Sequence, residues 1–430
     1  MSKVIYYYYD MNYDVRYLND EDDDVKFMTK EEFHDKIRKL HYFRPLDGYD
    51  NTDADLLRYK FDFNNQCKEA KSIKLKTRSG KYFSIDYKKY NTHKEAVFYN
   101  WKRHYVEKCV FDMFQKVTAK EFYAIERCYN AGLITLNLDF KEKVTECYSR
   151  DYSSFYPRLL ETMKIPFEEG KLYSFKKDEL IFGKLKYGIY RVQITYTNSK
   201  LTNIFNFSQD NHYTSQTLNS LQKYKEFFGI KFKLLKPDDT FNYNALIYEY
   251  DQLMDGKLLF GNWLKDMLSA KKQVPKNRLI KHLTSTLEGT LKSYKKILFD
   301  NFEDIDLTRI NSNVESDYKL IKKTDNNQYQ CVKTDDAYKY NLARLKPFLV
   351  ATGRKKIFEL IMQHNLIDKV VSIHTDRIAL TEDFDYTNHR YVPLPEAKST
   401  GNIIFYSVVN YKHVCRKCER EYSFKDGHKC

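Results

Sequence analysis

Two aspartates in distant parts of the chain, Asp151 and Asp376, have the setting of metal-binding carboxylates. Asp151 begins DYSSFYPRLL at the end of a strand-like stretch, and Asp376 lies in a tight turn between the strand-like halves of SIHTDRIAL. Two carboxylates on adjacent strands can hold two divalent cations about 4 Å apart, the arrangement used for in-line phosphoryl displacement. Mg²⁺ prefers such hard oxygen ligands together with substrate phosphates, and Mn²⁺ is the expected substitute. A lone aspartate at a strand end is most often a cap or turn residue, so the prediction depends on both segments together.

The net charge of +14 comes from 73 lysines and arginines against 59 aspartates and glutamates, and much of it lies in one segment. Residues 257–296 contain ten basic and two acidic residues, so 10 − 2 gives +8. A basic, aromatic-rich chain favours a polyanionic partner, nucleic acid first. The competing explanation is an AT-rich genome, which would account for the tyrosines and asparagines but not for lysines concentrated in one segment.

The first half of the chain mixes helical and strand patterns. SIKLKTRSGKYFSIDY (72–87) has the alternation and the Ser-Gly turn of a hairpin. Residues 94–131 have the apolar spacing of two helices. A half-buried strand is predicted over 188–196, and a helix with a stop at Gly229 over 214–229.

The second half continues without a regular βαβ alternation, which indicates an α+β fold. Residues 257–298 are predicted to be helical, and 300–340 to be a polar, irregular surface insertion. A helix with Pro347 in its first turn, where proline is tolerated, is predicted over 347–363. KVVSIHTDRIAL (369–380) is predicted to form strand, two-residue turn and strand.

Three segments resemble the polymerase motifs of family B DNA polymerases. DYSSFYP (151–157) resembles the first motif, D-x-x-S-L-Y-P, and KHLTSTLEG (281–289) resembles the second, K-x-x-x-N-S-x-Y-G. HTD (374–376) is similar to the D-T-D hairpin of the third. The viral, protein-primed-like branch is the most similar, because His-Thr-Asp hairpins occur there and a helix with a Pro-Phe-Leu and Gly-Arg pattern, here in 347–354, precedes them. The resemblance covers roughly residues 120–410, and it is specific because the three motifs occur in the right order.

The resemblance implies a polymerase palm, made of an antiparallel sheet with helices, together with short helical fingers and a reduced or absent thumb. The implied divisions are an N-terminal helical or mixed domain (1–133), a first palm part with the Asp151 motif (134–256), fingers (257–298), a second palm part with the Asp376 hairpin and the insertion at 300–340 (299–410), and a basic Cys/His tail (411–430).

Roles follow from the resemblance position by position. Asp151 and Asp376 would hold two Mg²⁺ ions, and Lys281 would contact the incoming triphosphate from a fingers helix. Tyr156 would lie beneath the deoxyribose and clash with the 2′-hydroxyl of a ribonucleotide. Further nucleotide contacts are implied for Tyr152, Ser153, Ser154, Phe155, Lys271, Lys272 and Ser285, with backbone N–H groups of residues 153–155 around the triphosphate. DNA contacts are implied for Arg354, Thr375 and Lys398.

Four departures from the family pattern bear on the chemistry. His374 replaces the first carboxylate of the hairpin, and Arg377 replaces the serine that follows it. A neutral imidazole adds no negative charge for Mg²⁺, so metal binding would depend heavily on Asp151 and Asp376. Ser285 and Glu288 stand where the second motif has Asn and Tyr, which alters the expected contacts of the nascent base pair.

Two parts of a typical family B enzyme are expected to be missing or small. A proofreading exonuclease needs an Asp-x-Glu on its first strand, and none occurs in residues 1–150. After Asp376 only 54 residues remain (430 − 376), which leaves room for a small thumb. The chain is therefore predicted to be a minimal polymerase or one part of a larger machine in which a partner helps to grip the duplex.

The C-terminal tail has the ligand types of a structural zinc site. Cys415 and Cys418 form a C-x₂-C pair, and His428 and Cys430 could complete four ligands. The alternative is a set of free thiols in a reducing compartment. Eight cysteines scattered through 430 residues fit such a compartment, and we expect a cytoplasmic or viral-replication-site protein that is neither secreted nor inserted in a membrane.

Three functions remain in competition. The first is a DNA-directed DNA polymerase that extends a primer on a template with dNTPs, with a terminal-protein primer or an accessory subunit among the expected partners. The second is a catalytically weak or inactive polymerase-fold subunit that binds nucleic acid. The third is a template-independent nucleotidyltransferase.

Overall fold

The structure is a computed structural model. It describes residues 5–9, 15–19, 26–28, 43–45, 74–76, 82–84, 93–128, 131–176, 179–238, 242–273, 278–299, 318–323, 329–383, 395–407, 411–414 and 421–422.

The helices lie mainly in the middle of the chain. In chain order they are α1 (His93–Tyr105), α2 (Lys108–Asp112), α3 (Ala119–Arg127), α4 (Phe155–Thr162), α5 (Ser215–Lys223), α6 (Lys225–Phe228), α7 (Gly256–Gln273), α8 (Arg278–Thr290) and α9 (Leu345–Gln363).

The strands are mostly short and occur in both halves. They are β1 (Ile5–Tyr9), β2 (Val15–Asn19), β3 (Lys26–Met28), β4 (Phe43–Pro45), β5 (Lys74–Lys76), β6 (Tyr82–Ser84), β7 (Ile134–Leu136), β8 (Val144–Tyr152), β9 (Lys164–Pro166), β10 (Lys171–Tyr173), β11 (Gly188–Thr195), β12 (His212–Thr214), β13 (Lys231–Leu234), β14 (Ala245–Ile247), β15 (Leu253–Asp255), β16 (Ile297–Phe299), β17 (Tyr318–Lys323), β18 (Tyr329–Lys333), β19 (Val370–His374), β20 (Arg377–Leu380), β21 (Pro395–Phe405), β22 (Tyr411–Val414) and β23 (Glu421–Tyr422).

A seven-stranded antiparallel sheet is the largest sheet, with strand order β23-β22-β21-β8-β20-β19-β7. Side chains alternate between its two faces because successive residues of a strand point in opposite directions. One face packs into the main core through residues such as Tyr152, Ile373 and Ile378. The other face carries a small separate apolar cluster that consists of Cys147, Val371, Ala379, Ile403 and Phe405. We call this second side the cluster face.

Helix α4 follows β8 on the core side, where Phe155 stacks on Tyr152, and it packs against α9. The two helices approach closely at Gly353 of α9, where an added Cβ would lie 3.1 Å from Phe155 Cε1 and 3.3 Å from Tyr156 Cε1. At the start of α7, a Cβ on Gly256 would lie 1.9 Å from the carbonyl oxygen of Leu160 in α4. A Cβ at Gly256 would therefore collide with the backbone of α4, and a Cβ at Gly353 would press on two aromatic rings.

The remaining sheets are smaller. They are the mixed sheet β3-β2-β1-β4, the sheet β10-β14-β11-β12 with β13 added to β11, the sheet β16-β18-β17, and the pairs β15-β9 and β5-β6. Among the described residues, no helix combines the length and the apolar character that crossing a bilayer requires.

A buried ion pair joins α3 to α9. Arg344 is fully buried, and its Nε and Nη2 donate hydrogen bonds to the two carboxylate oxygens of Glu121 at 2.8 and 2.5 Å. Its remaining donors reach the carbonyl oxygens of Gln115 and Lys116. The pair thus fixes α9 against the segment that begins α3.

Several sequence predictions agree with this structure. The hairpin predicted in 72–87 is present as β5 and β6, and the strand over 188–196 is β11. The helix over 214–229 is confirmed as α5 and α6: Thr214 accepts a hydrogen bond from Thr217 N at its start, and Gly229 ends it with φ 59°. In the described residues, the combination of helices with mainly antiparallel sheets confirms the α+β fold class.

Two predictions differ from the structure. Residues 94–131 contain three helices rather than two, because Thr118 and Glu121 form a capping box that starts α3 as a separate helix. Residues 300–340 are not irregular throughout, since β17 and β18 pair there and join β16 in a sheet that buries Cys331. Short runs of alternating residues gave too weak a signal for these strands.

Candidate active site

Asp151 and Asp376 occupy neighbouring positions in the large sheet. Asp151 is the next-to-last residue of β8, and Asp376 lies in the two-residue loop that joins β19 to β20. Strands β8 and β20 are antiparallel neighbours, with Arg377 opposite Asp151. The backbone N–H of Tyr152 donates a 3.0 Å hydrogen bond to the carbonyl oxygen of Asp376. Two carboxylates that are 225 residues apart in sequence (376 − 151) are thereby brought to adjacent strand ends.

The loop that carries Asp376 is held in an unusual conformation. Thr375 has φ 58°, a left-handed value that is rare for a β-branched residue and costs of the order of 1–3 kcal/mol. Its N–H donates to the carbonyl oxygen of Leu133 at 2.8 Å, and its hydroxyl lies 2.8 Å from Asp376 Oδ1. The segment before β7 therefore fixes the loop, and the Thr375 hydroxyl can donate either to the Asp376 carboxylate or to the carbonyl oxygen of His374, which is also at 2.8 Å. This is an observed role for Thr375 beside its predicted contact with DNA.

A tight turn leads from Asp151 into α4. Ser154 has φ 52° and ψ 45° and forms the N-cap of α4, and its hydroxyl makes no hydrogen bond to any residue that the structure describes. The first N–H groups of a helix have no intrahelical partner and favour a negatively charged ligand. Tyr152 and Phe155, each 3% exposed, stack on each other at 4.7 Å in the core. Their side chains therefore support the turn, and the backbone of 153–155 is the part that could reach a nucleotide.

Tyr156 lies at the junction of three segments. A Cβ on Gly132 would come within 3.0 Å of its hydroxyl, and a Cβ on Gly353 within 3.3 Å of its ring. Burial, reinforced by the negative charges of Glu288 and Asp376, raises the pKa of the Tyr156 phenol well above its usual value, against a smaller opposing effect of Arg354. The phenol is therefore neutral, close to both the acidic loop and the helix that carries the second motif.

The predicted Arg354 lies in α9, one residue after Gly353, and its positive charge acts on Tyr156. This places it near the tyrosine that the resemblance assigns to sugar selection. Its predicted contact with DNA stays a prediction.

Helix α8 carries the second motif. Lys281 lies in its first half, where the structure describes the backbone but not the side chain, and Ser285 is exposed. Glu288, near its end, forms an ion pair with Lys346 of α9, and both side chains are largely buried. The residue that stands at the aromatic position of the family motif therefore ties α8 to α9.

The other predicted phosphate and DNA contacts have less defined surroundings. Lys271, which is half-buried, and Lys272, which is exposed, lie in the last turn of α7. Lys398 lies in a bulge of β21 between Ala397 and Ser399, at the level of β8 just before Asp151. Its side chain is not described. Bulges are often found beside active sites, where they redirect the strand.

The predicted zinc ligands Cys415, Cys418, His428 and Cys430 lie outside the described residues. Within the described part of the chain, no group of three or more His, Cys, Asp or Glu side chains is placed to hold a metal. The Asp151–Asp376 pair is a two-carboxylate arrangement, which suits an ion that takes its other ligands from water, backbone oxygen and substrate.

Sequence reasoning missed one contact at this site. Arg377 Nη1 donates a 2.8 Å hydrogen bond to the hydroxyl of Tyr411 in β22, and the guanidinium lies 4.7 Å from the centre of the Tyr411 ring. Two strands, β21 and β8, separate β22 from β20 in the sheet order. The contact therefore reaches across two intervening strands, and no sequence pattern predicts that Arg377 contacts Tyr411.

No family model matches the sequence, and no curated protein matches it either. Solved structures do match. Phi29 DNA polymerase complexed with single-stranded DNA is 12% identical with a TM-score of 0.58, covering 96% of this chain and 86% of that chain. Its complex with primer-template DNA is 12% identical with a TM-score of 0.57, and its ternary complex with primer-template and incoming nucleotide is 13% identical with a TM-score of 0.53. These cover 96% and 98% of this chain and 87% and 89% of those chains, respectively. The chain therefore has a polymerase-like fold.

Proposed function

We propose that this protein is a DNA-directed DNA polymerase that adds dNTPs to a primer 3′ end by two-metal phosphoryl transfer. The observation that carries the proposal is the position of Asp151 and Asp376 at adjacent strand ends of an antiparallel sheet. The fold similarity to a DNA polymerase supports it, because the similarity extends over nearly the whole chain.

The donor set at these strand ends fits Mg²⁺. Asp151 and Asp376 supply hard carboxylate oxygens, and the Thr375 hydroxyl lies 2.8 Å from one of them. When bound, a pair of divalent ions stabilises the charge on the attacking and leaving oxygens of an in-line displacement. His374 contributes no negative charge. Loss of either aspartate would therefore leave the site with too little negative charge to bind the divalent ions.

The nucleotide side of the proposed site is the turn from β8 into α4. The N-terminus of α4, with the unbonded Ser154 hydroxyl beside it, provides donors for a triphosphate. Tyr156 is wedged between Gly132 and Gly353 and has little freedom to move away from a 2′-hydroxyl. From the resemblance, Lys281 of α8 would bind the triphosphate from the opposite side.

The proposed macromolecular partner is primer-template DNA. The neighbouring structures were solved with DNA, and the helices α7 and α8 lie in the segment 257–296 with its net charge of +8. A terminal-protein primer or an accessory subunit and a place at a viral replication site belong to the same proposal and derive from the resemblance. Zinc in the tail derives from the spacing of Cys415, Cys418, His428 and Cys430, and the use of Mn²⁺ from the carboxylate ligands.

An inactive nucleic-acid-binding relative is the second candidate, and one observation favours it. Arg377 puts a positive charge directly opposite Asp151, where the family has a serine. Such a protein would bind primer-template but would not extend it.

Primer extension tests the proposal. The purified protein is incubated with Mg²⁺, a labelled DNA primer on a DNA template and all four dNTPs, with parallel reactions that use an RNA template, an RNA primer or rNTPs. We expect template-length products from dNTPs on DNA. Products without a template would instead identify a template-independent transferase, and DNA binding with no product under any condition would identify the inactive relative.

A further inference from the structure

Arg377 occupies a special position beside the proposed metal site. It is the first residue of β20, follows Asp376 directly and lies opposite Asp151 in the ladder. Residues directly opposite each other in an antiparallel pair project from the same face of the sheet. Arg377 therefore lies on the face of Asp151, which is also the cluster face, since Cys147 lies four residues before Asp151 on the same strand.

The Arg377 guanidinium is already held in one orientation before any ligand binds. Tyr411 accepts a hydrogen bond from Nη1 and offers its ring to the cation, and the Tyr411 ring itself packs on Phe405 at 5.5 Å and on His413 at 6.1 Å. An arginine loses much conformational entropy when a ligand immobilises it. Here that entropy is lost on folding, so binding an anion costs less.

The other edge of the guanidinium has no acceptor in the described part of the chain. Nε is buried without a hydrogen bond, and Arg377 forms no ion pair with a described carboxylate. Arg150, which precedes Asp151 in β8, differs from Arg377 because it is paired within the protein: its guanidinium donates hydrogen bonds to both carboxylate oxygens of Asp383. Nη2 also donates to no described acceptor and is not among the buried atoms, so it is the donor of Arg377 left for a charge-assisted hydrogen bond to a phosphate oxygen.

The direction in which the Arg377 side chain extends indicates which phosphate it can bind. Tyr411 and Cys147 lie along the cluster face, toward the start of β8, and the charge of Arg377 acts on Cys147. The turn 153–155, where a triphosphate would bind, lies beyond the other end of β8. Arg377 therefore points away from the turn proposed for the triphosphate, which leaves the backbone phosphates of the DNA as the anions that it could bind.

We propose that Arg377, held by Tyr411, binds a backbone phosphate of the primer strand near its 3′ end and so positions the 3′-hydroxyl. The inference rests on the proposed function. It also supplies an anionic partner for the charge of Arg377, which pairs with no described carboxylate.

The proposed contact of Arg377 with a primer phosphate is tested by measuring the Kd of a labelled primer-template, without dNTPs, at several salt concentrations. Arg377→Ser is compared with wild type, with Arg377→Lys, and with Arg150→Ser as the control on the opposite face. We expect Arg377→Ser to weaken binding about 10-fold and to reduce the slope of log Kd against log salt by about 0.9, as for one lost phosphate contact. Arg377→Lys should keep the slope but lose part of the affinity, and Arg150→Ser should match wild type.

A second measurement locates the phosphate and does not depend on the stability of a variant. Each of the last three primer linkages is replaced in turn by an uncharged methylphosphonate. One replacement should weaken binding to wild type about 10-fold and have little further effect on Arg377→Ser. Equal losses for both proteins, or no loss at any of the three linkages, would overturn the inference.

The outcomes separate this inference from the proposed function. If wild type binds and extends the primer but Arg377→Ser binds equally well, Arg377 is not a DNA contact and the polymerase proposal stands. If Arg377→Ser leaves DNA affinity intact and raises the KM for dNTP, the arginine meets the triphosphate and the inference is wrong. If wild type does not bind primer-template at all, both fail.

Discussion

The ion pair between Glu121 and Arg344 should be one of the most sensitive points for stability. Both side chains are almost completely excluded from solvent, at 1% and 0% exposure. Arg344→Met removes two charge-assisted hydrogen bonds to the carboxylate and two to backbone carbonyls, while Glu121 keeps three neutral donors: Thr118 N–H at 3.3 Å, Gly170 N–H at 3.0 Å and the Tyr248 hydroxyl at 3.2 Å. An uncompensated buried charge costs about 3–5 kcal/mol.

Urea unfolding followed by circular dichroism measures this cost as the change in the free energy of unfolding. Lys200→Met is the matched control, because its ion pair with Asp368 is at the surface and should contribute less than about 1 kcal/mol. Arg344→Lys should also be destabilising, since one ammonium cannot replace the planar fork. A loss below about 1 kcal/mol for Arg344→Met would refute the argument that this pair fixes α9 against α3.

Three further changes have defined outcomes. His212 is buried, and burial lowers its pKa to about 3, so between pH 6.5 and 3 the unfolded chain binds a proton that the folded chain does not. Stability should therefore fall by about 2 kcal/mol from pH 7 to pH 5 through this group, and urea midpoints of His212→Asn should show a smaller fall. Tyr156→Ala should raise rNTP incorporation relative to dNTP at least about 10-fold, about 1.4 kcal/mol, in competitive extension assays, whereas Tyr156→Phe should not. Gly353→Ala should press on the rings of Phe155 and Tyr156, cost about 1–3 kcal/mol in urea unfolding, and raise the KM for dNTP.

Local patterns predicted the elements that carry the site. The run SIHTDRIAL predicted a hairpin with Asp376 in its turn, and the structure has that turn between β19 and β20. Thr214 and Gly229 marked the ends of a helix correctly, because capping and left-handed termination are local effects. The resemblance to polymerase motifs, rather than periodicity, brought Asp151 and Asp376 together.

Contacts over long sequence distances were beyond prediction. Arg344 is 223 residues from Glu121, and nothing in either local sequence indicates the other. The contact of Arg377 with Tyr411 depends on the path of the strands between them, and the confinement of Tyr156 depends on glycines from two other segments. Such contacts result from the packing of whole elements, which single-sequence patterns do not encode.

The most direct test of the account is primer extension by Asp151→Asn and Asp376→Asn with Mg²⁺ and dNTPs. Asp383→Asn is the control, because that carboxylate pairs with Arg150, whose position in β8 puts it on the opposite face from Asp151. Each of the first two variants should fold as wild type does, by circular dichroism, and lose at least about 10³-fold in rate, while the control should stay within a few-fold of wild type. Extension that persists at a wild-type rate in either Asp151→Asn or Asp376→Asn would contradict the assignment of the active site.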